Sequence, residues 1–234
     1  MSGVVAVGQS DEVLDNPFWH ALTGAQSCFA AGEGGARRYA RGFSPILGFA
    51  DPRDPDFASL EAYCDPGERF YCEGWTGPVP AGWDLQVEAR MLRMAWTGGE
   101  PEAAELPEAR FLDGSHAHDA LDLAVLTNPG PFGLRTIALG DYLGVFEGPR
   151  LLAMAGERVQ AGPWREVSGV CTHPETQGRG LARRLTAMIL RRQLARGQRP
   201  FLHVMRHNTV AVTLYERMGF QTTHDTPVRV VEKR

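Results

Sequence analysis

The second half of this 234-residue sequence predicts an α/β domain, a mixed sheet flanked by helices. Three observations point there. Strand-like and helix-like segments follow in the order β-β-β-α-β-α-β over about 90 residues, the pattern of one layered α/β unit. A β-branched strand, 166–172, runs through a short Pro-containing turn into a Gly-x-Gly step and then directly into an amphipathic helix. That helix stops at Gly197 and is followed by FLHVM, 201–205, a short apolar run of strand length.

The elements follow in chain order. Up to about Ala103 the chain is rich in Gly, Pro and Asp, as in GFADPRDPDF and EGWTGPVPAGW, which implies loops between short elements. Residues 85–96, LQVEARMLRMAW, form a strand with imperfect alternation. The acidic, Pro-containing GGEPEAAELPEAR is a connector, so the domains divide as 1–104, an N-terminal region, and 105–234. HDALDLAVLTNPGPF predicts a short helix ended by Asn128-Pro129-Gly130. A hairpin follows, with strands 142–146 and 151–159 about a turn at 147–150. In the long helix from Gly180 to about Arg196, Leu181, Leu185, Met188 and Ile189 share one face, while Arg191, Arg192 and Arg196 read as a solvated face. A second helix covers 209–218 up to Gly219, and QTTHDTPVRVVEK holds the last strand. The letters show no internal repeat.

Composition narrows the function classes. Hydrophobic residues make up 43% and charged residues 22%, enough apolar material for a sizeable core. A formal net charge of −4 argues against a nucleic-acid or polybasic membrane surface. No apolar run approaches the roughly 18 residues that span a bilayer. The N-terminal MSGVVAVGQSDEVLDNP lacks a basic n-region, and its apolar stretch is too short for a signal peptide. Cys28, Cys64, Cys72 and Cys171 form no C-x-x-C pair, which favours free thiols and a cytoplasmic location. His116-x-His118 and His203-x3-His207 have metal-like spacing but no acid or Cys cluster beside them, so no metal is expected.

The segment VSGVCTHPETQGRGLARRL carries the chemistry. Gly178 and Gly180 let a ligand approach the backbone closely. The helix start adds unpaired N–H groups and the positive end of the helix dipole, a geometry suited to pyrophosphate. A dinucleotide fingerprint fits poorly, because Arg183 stands where its third glycine belongs and the next strand offers His203 in place of an acid.

Gln177-Gly178-Arg179-Gly180-Leu181-Ala182 instead resembles the coenzyme A loop of the Gcn5-related N-acetyltransferases (GNAT), Arg/Gln-x-x-Gly-x-Gly/Ala, at every fixed position. About thirty residues on, NTVAVTLYERMGF, 208–220, is similar to that family's closing motif N-x-x-A-x-x-L-Y-x-x-x-G-F. The resemblance spans roughly 119–234 and is closest to the FR47-like branch. It implies the family's fold, with the N-terminal region as an acceptor-binding extension or a degenerate second half. It also implies acetyl transfer from acetyl-CoA, a co-substrate, to a primary amine of a small molecule, amino acid or peptide, by direct attack in a ternary complex. The identity of the amine stays open, as does a homodimer.

Residue by residue, the resemblance gives the pantetheine arm to the backbone of Val170, Cys171 and Thr172. One amide there polarises the thioester carbonyl as an oxyanion-type donor. Gln177, Gly178, Arg179, Gly180, Leu181, Ala182 and Arg183 hold phosphate, for which arginine is well suited. Tyr215 matches the tyrosine that faces the coenzyme sulfur and could protonate the leaving thiolate; packing at a helix–sheet junction is the plainer role. Asn208 touches pantetheine or caps the next helix. Glu166 stands where related histone acetyltransferases carry their catalytic glutamate; the alternative is a solvated residue at a strand start. Cys171 is a small buried residue without an evident base, so no covalent acyl-enzyme is expected. Trp75, Trp83 and Trp96, with Phe70 and Tyr71, wall a pocket or form core. The rival class is an acyl-CoA-binding regulatory module without turnover, which Tyr215 weighs against.

Overall fold

A computed structural model describes residues 9–101 and 105–234; the start of the segment weighed as a signal peptide and the middle of the acidic connector lie outside the described residues. Two short helices, α1 (Gln9–Asp15) and α2 (Pro17–Thr23), lead into a small antiparallel sheet of β1 (Ala30–Ala31), β2 (Ala36–Tyr39) and β3 (Leu47–Phe49). Then come β4 (Arg69–Glu73), β5 (Trp83–Trp96), β6 (Arg110–Phe111) and α3 (Ala117–Thr127). The rest follows as β7 (Tyr142–Glu147), β8 (Arg150–Ala161), β9 (Trp164–Thr172), α4 (Leu181–Ala195), β10 (Arg199–Met205), α5 (Thr209–Arg217) and β11 (Phe220–Lys233). The main sheet has eight strands in the order β4-β11-β5-β10-β9-β8-β7-β6. Its neighbours are antiparallel except β9 and β10, which are parallel. None of the described helices is long and apolar enough to cross a membrane.

Local chemistry explains the boundaries. Asn128 adopts the left-handed conformation (φ 48°) and its N–H bonds Ala124 O at 2.7 Å, closing α3. Gly197 (φ 69°) ends α4, with N–H bonds from Gly197 to Leu194 O and from Gln198 to Gln193 O. Leu181, Leu185 and Ile189 form the buried stripe of α4. Of the arginines opposite, Arg191 is exposed, but the other two are not merely solvated: Arg192 and Arg196 both bond Asp141, and Arg196 also bonds the buried Glu157, so they tie the end of α4 to the sheet.

Two layers cover the sheet. Leu185, Ile189 and Tyr215 pack on one face against Val167, Leu202 and Val204. Phe201, adjacent in sequence to Leu202, points the opposite way and packs with Phe18, Leu22, Tyr39 and Trp164. On that same side Ala120, Leu123 and Ala124 of α3 meet Tyr142, Met154 and Cys171. Trp75, Trp83 and Phe70 are core beneath the small sheet.

The boundary at 104/105 falls within one continuous sheet. β5 lies between β10 and β11, pairing with β10 from Met91 to Ala95 and with β11 along its whole length.

One irregularity positions everything that follows. The β9–β10 pairing runs only from Trp164↔Arg199 to Val167↔Leu202. Beyond it β9 stays with β8 as far as Thr172 and β10 stays with β5 as far as Met205, so the two parallel strands diverge. Just past the divergence β9 bulges: Ser168 faces Gly156 and Cys171 faces Met154, leaving Gly169 and Val170 opposite Ala155. Gly169 makes the bulge with φ 61°.

Tyr142 lies across β8 at Gly156, where an added Cβ would enter its ring. Gly156→Ala is therefore expected to destabilise the fold by about 2 kcal/mol, the usual range for overpacking, measured by urea denaturation. A change within experimental error would mean that the ring moves aside freely.

Candidate active site

The loop after β9 is shaped as a cradle. His173 starts a short turn, 174–176, accepting the Glu175 N–H on its Nδ1 at 3.3 Å. Gly178 (φ 80°) and Gly180 (φ 74°) both need the left-handed region, and a Cβ on either would meet no other atom within 4 Å. The open space beside them faces outward: Gln177, Gly178 and Arg179 are exposed. Gly180 caps α4, and the first amides of that helix have no carbonyl in the preceding turn to bond. Arg179 and Arg184 have no carboxylate partner among the described residues, so their charge is available to an anion.

A cleft of about 850 Å³ lies between α4 and α5, reaching the first turn of α4 at Arg183 and lined also by Trp96, Ala187, Thr213, Leu214 and Arg217. Trp96 is thus a wall of the cleft, with its indole N–H on Met218 O at 3.0 Å, whereas Trp75 and Trp83 are core. Arg217 occupies a variable position of the closing motif, so no motif letter points to it.

The loop itself continues from the end of β9 that has left β10. Val170 packs at the rim of the core cluster that holds Val167, Val204 and Tyr215, so the tyrosine lies among residues of both strands. Tyr215 is buried, its ring edge-on to Phe220 at 5.9 Å. Burial raises its phenol well above the ordinary value, so it keeps its proton at neutral pH. Asn208 caps α5, its side chain accepting the Ala211 N–H at 3.2 Å. Cys171 faces α3 rather than the cleft. Burial pushes its thiol up to about 12, against weaker lowering by Thr127 and the Met154 backbone, so it stays an unreactive thiol.

Glu166 is not solvated. It is 1% exposed and takes Arg158 Nε at 2.9 Å and Nη2 at 2.7 Å on its two oxygens. His203 Nδ1 donates to Glu166 Oε1 at 2.7 Å, while His203 Nε2 accepts from Arg93 Nε at 3.3 Å. Arg93 Nη2 in turn reaches Glu73 at 2.6 Å, and the Thr226 hydroxyl donates to the same oxygen at 2.6 Å. This chain crosses the floor of the divergence on the face opposite α4. Burial alone would raise the Glu166 carboxyl; the Arg158 charge and the His203 hydrogen bond outweigh it and hold the pKa at about 2. Its partners come from other strands, and nothing near 166 in the sequence announces them.

The comparisons agree with this geometry. A family model described as FR47-like protein matches residues 142–230. A structure assigned to the GNAT acetyltransferase family, from Novosphingobium aromaticivorans DSM 12444, is 33% identical, with 95% of this chain and 99% of that chain covered and a TM-score of 0.85. A GCN5-related N-acetyltransferase from Kribbella flavida (16% identity, 97% and 96% covered, TM-score 0.57) shares the fold. So does a GCN5-related N-acetyltransferase-like protein from Streptococcus suis 89/1591 (13%, 97% and 95%, 0.55). No protein of curated function matches the sequence.

The depressed pKa of Glu166 sets a direction for stability against pH. The fold favours the ionised carboxylate, so its contribution is complete above the ordinary value of 4.5 and is lost as pH falls toward about 2. Glu166→Gln is expected to lower the melting temperature at pH 7 and to make its decline between pH 4.5 and 2 shallower. Parallel melting curves for the two proteins across that range would exclude this ion pair as a source of acid lability.

Proposed function

The chain belongs to the GNAT family of acetyltransferases, and from that premise we propose that it moves an acetyl group from acetyl-CoA to a primary amine by direct attack in a ternary complex. The observation that carries the proposal is the cradle at Gly178 and Gly180 opening beside the divergence of β9 and β10. The unpaired first amides of α4 and the exposed Arg179 suit a diphosphate, and the separated strand edge suits a pantetheine arm.

In this reading the amides of Gly178 to Ala182, with the side chains of Gln177, Arg179 and Arg183, hold the diphosphate, while the Gln177 N–H stays on Pro174 O at 3.4 Å. The cleft beyond Arg183 takes the nucleotide end. Backbone groups of Val170, Cys171 and Thr172, freed where β10 leaves β9, bind the arm, and one amide polarises the thioester carbonyl. Tyr215, protonated and buried, donates to the departing thiolate. Asn208 acts by starting the helix that carries Tyr215. Glu166, with both oxygens engaged by Arg158, is assigned to holding the site's floor rather than to taking the amine's proton. The amine then enters neutral or loses its proton to solvent.

Four experiments check this. Acetyl-CoA should raise the melting temperature and NAD should not, since a ligand of the native state alone adds RT ln(1 + [L]/Kd). Thiol release from acetyl-CoA should then accelerate with at least one member of a panel of small amines and amino acids; binding without turnover on a broad panel would favour the regulatory module. Gly180→Val should abolish the acetyl-CoA shift while the protein stays folded, because a β-branched side chain is strained at that φ and fills the cradle. Tyr215→Phe should keep coenzyme affinity and lower kcat by roughly 10²-fold, the lower end for a lost general acid. Equal kcat for the two proteins with several acceptors would make Tyr215 a packing residue.

A further inference from the structure

Tyr142 is completely buried, yet its hydroxyl finds no hydrogen-bond partner among the described residues. Buried hydroxyls in native folds are almost always bonded, so one that is not requires a cause. The ring reaches its place because two side chains are missing. Gly156, its cross-strand partner on β8, leaves the ring room to cross that strand. Gly169, one strand further, is the bulge residue of β9. A Cβ there would stand 2.9 Å from Tyr142 Cε1 and 3.3 Å from the hydroxyl oxygen. The side chain thus spans two strands and delivers an O–H to the bulge, on the face opposite Tyr215. Phe132 closes the other side, its ring nearly perpendicular to Tyr142 at 5.9 Å and its Cε2 3.3 Å from the same Cβ position.

The surroundings leave the hydroxyl a donor. Burial keeps the phenol well above its ordinary pKa, against the lowering pull of the Arg158 charge, which the Glu166 charge opposes. It therefore holds its proton and cannot serve as a base. What the hydroxyl lacks is an acceptor.

We infer that the Tyr142 hydroxyl donates a hydrogen bond to the thioester carbonyl oxygen of bound acetyl-CoA, forming with a β9 backbone amide a two-donor pocket for the charge that develops there. This rests on the acetyl-CoA reading above. Phe132, carried between Gly130 and Gly133, is the side chain displaced as the acyl end settles. In the reaction the amine nitrogen forms a C–N bond to the carbonyl carbon, and the carbonyl π electrons move onto oxygen under these two donors. They then return as the C–S bond breaks. The nitrogen loses one proton, the thiolate gains one, and the products are the N-acetyl amine and CoA thiol. A donor aimed at that oxygen is strongest when charge accumulates on it.

The test compares acetyl-CoA with CoA, which differ only in the acetyl group. Titration calorimetry on the wild type should show tighter binding of acetyl-CoA. Tyr142→Phe should bind CoA as the wild type does and lose about fivefold in acetyl-CoA affinity, the loss of one neutral hydrogen bond. Its unfolding midpoint should be unchanged or higher, because the hydroxyl has no protein partner to lose. A wild type without preference between the two ligands would overturn the inference, as would a variant that keeps the wild-type ratio. A wild type that binds neither would instead overturn the coenzyme reading, and this inference with it.

Discussion

A chain of buried charges running under the sheet's divergence is the interaction on which the rest of the structure depends. Arg158 of β8, Glu166 of β9, His203 of β10, Arg93 of β5 and Glu73 of β4 are linked in that order, and each is nearly inaccessible to water. Such a chain is tolerable only because every charge has an opposite or neutral hydrogen-bonding neighbour; remove one, and a bare charge remains in an apolar layer. Its position explains its presence. Backbone pairing between β9 and β10 ends at Val167 and Leu202, so past that row the ladder no longer holds the strands together. The Glu166–His203 bond sits at the edge of this gap and fixes how far it opens. A ligand pocket made from separated strands needs such a brace, because a gap that widened or closed would misplace both the free strand edge and the helix carrying Tyr215.

Much of the fold was legible in the sequence because its signals are local. Gly178 and Gly180 mark a backbone that turns left-handed before a helix, and the structure shows that conformation at both. Gly197 and Asn128 stop helices for the same reason, and Asn208 caps one as an Asx residue does. What stayed hidden is non-local. Glu166 looked like a residue that could be solvated, since its neutralising partners stand on other strands, Arg158 across a hairpin and His203 after a helix. Tyr142 raised no signal at all. Only the pairing register shows that Gly156 and Gly169 clear a path for its ring. The tryptophans divided for a similar reason: Trp83 begins β5 inside a packed cluster, while Trp96 ends the same strand at the wall of a cleft.

The place of β5 has a consequence for how the chain reaches its folded state. Its partners, β10 and β11, are synthesised more than a hundred residues later, and β11 is the last strand of the sheet. Until residues 220–233 leave the ribosome, β5 has an unpaired edge along its whole length, and β4 has no strand through which to join the sheet. Contacts of such long sequence separation make folding slow, because the loop entropy is lost before the pairing that offsets it forms. During that interval the segment from Met91 to Trp96, apolar but for Arg93, would be a docking site for chaperones, or for another nascent chain. Production of this protein should therefore depend more on temperature and translation rate than its compact final architecture suggests.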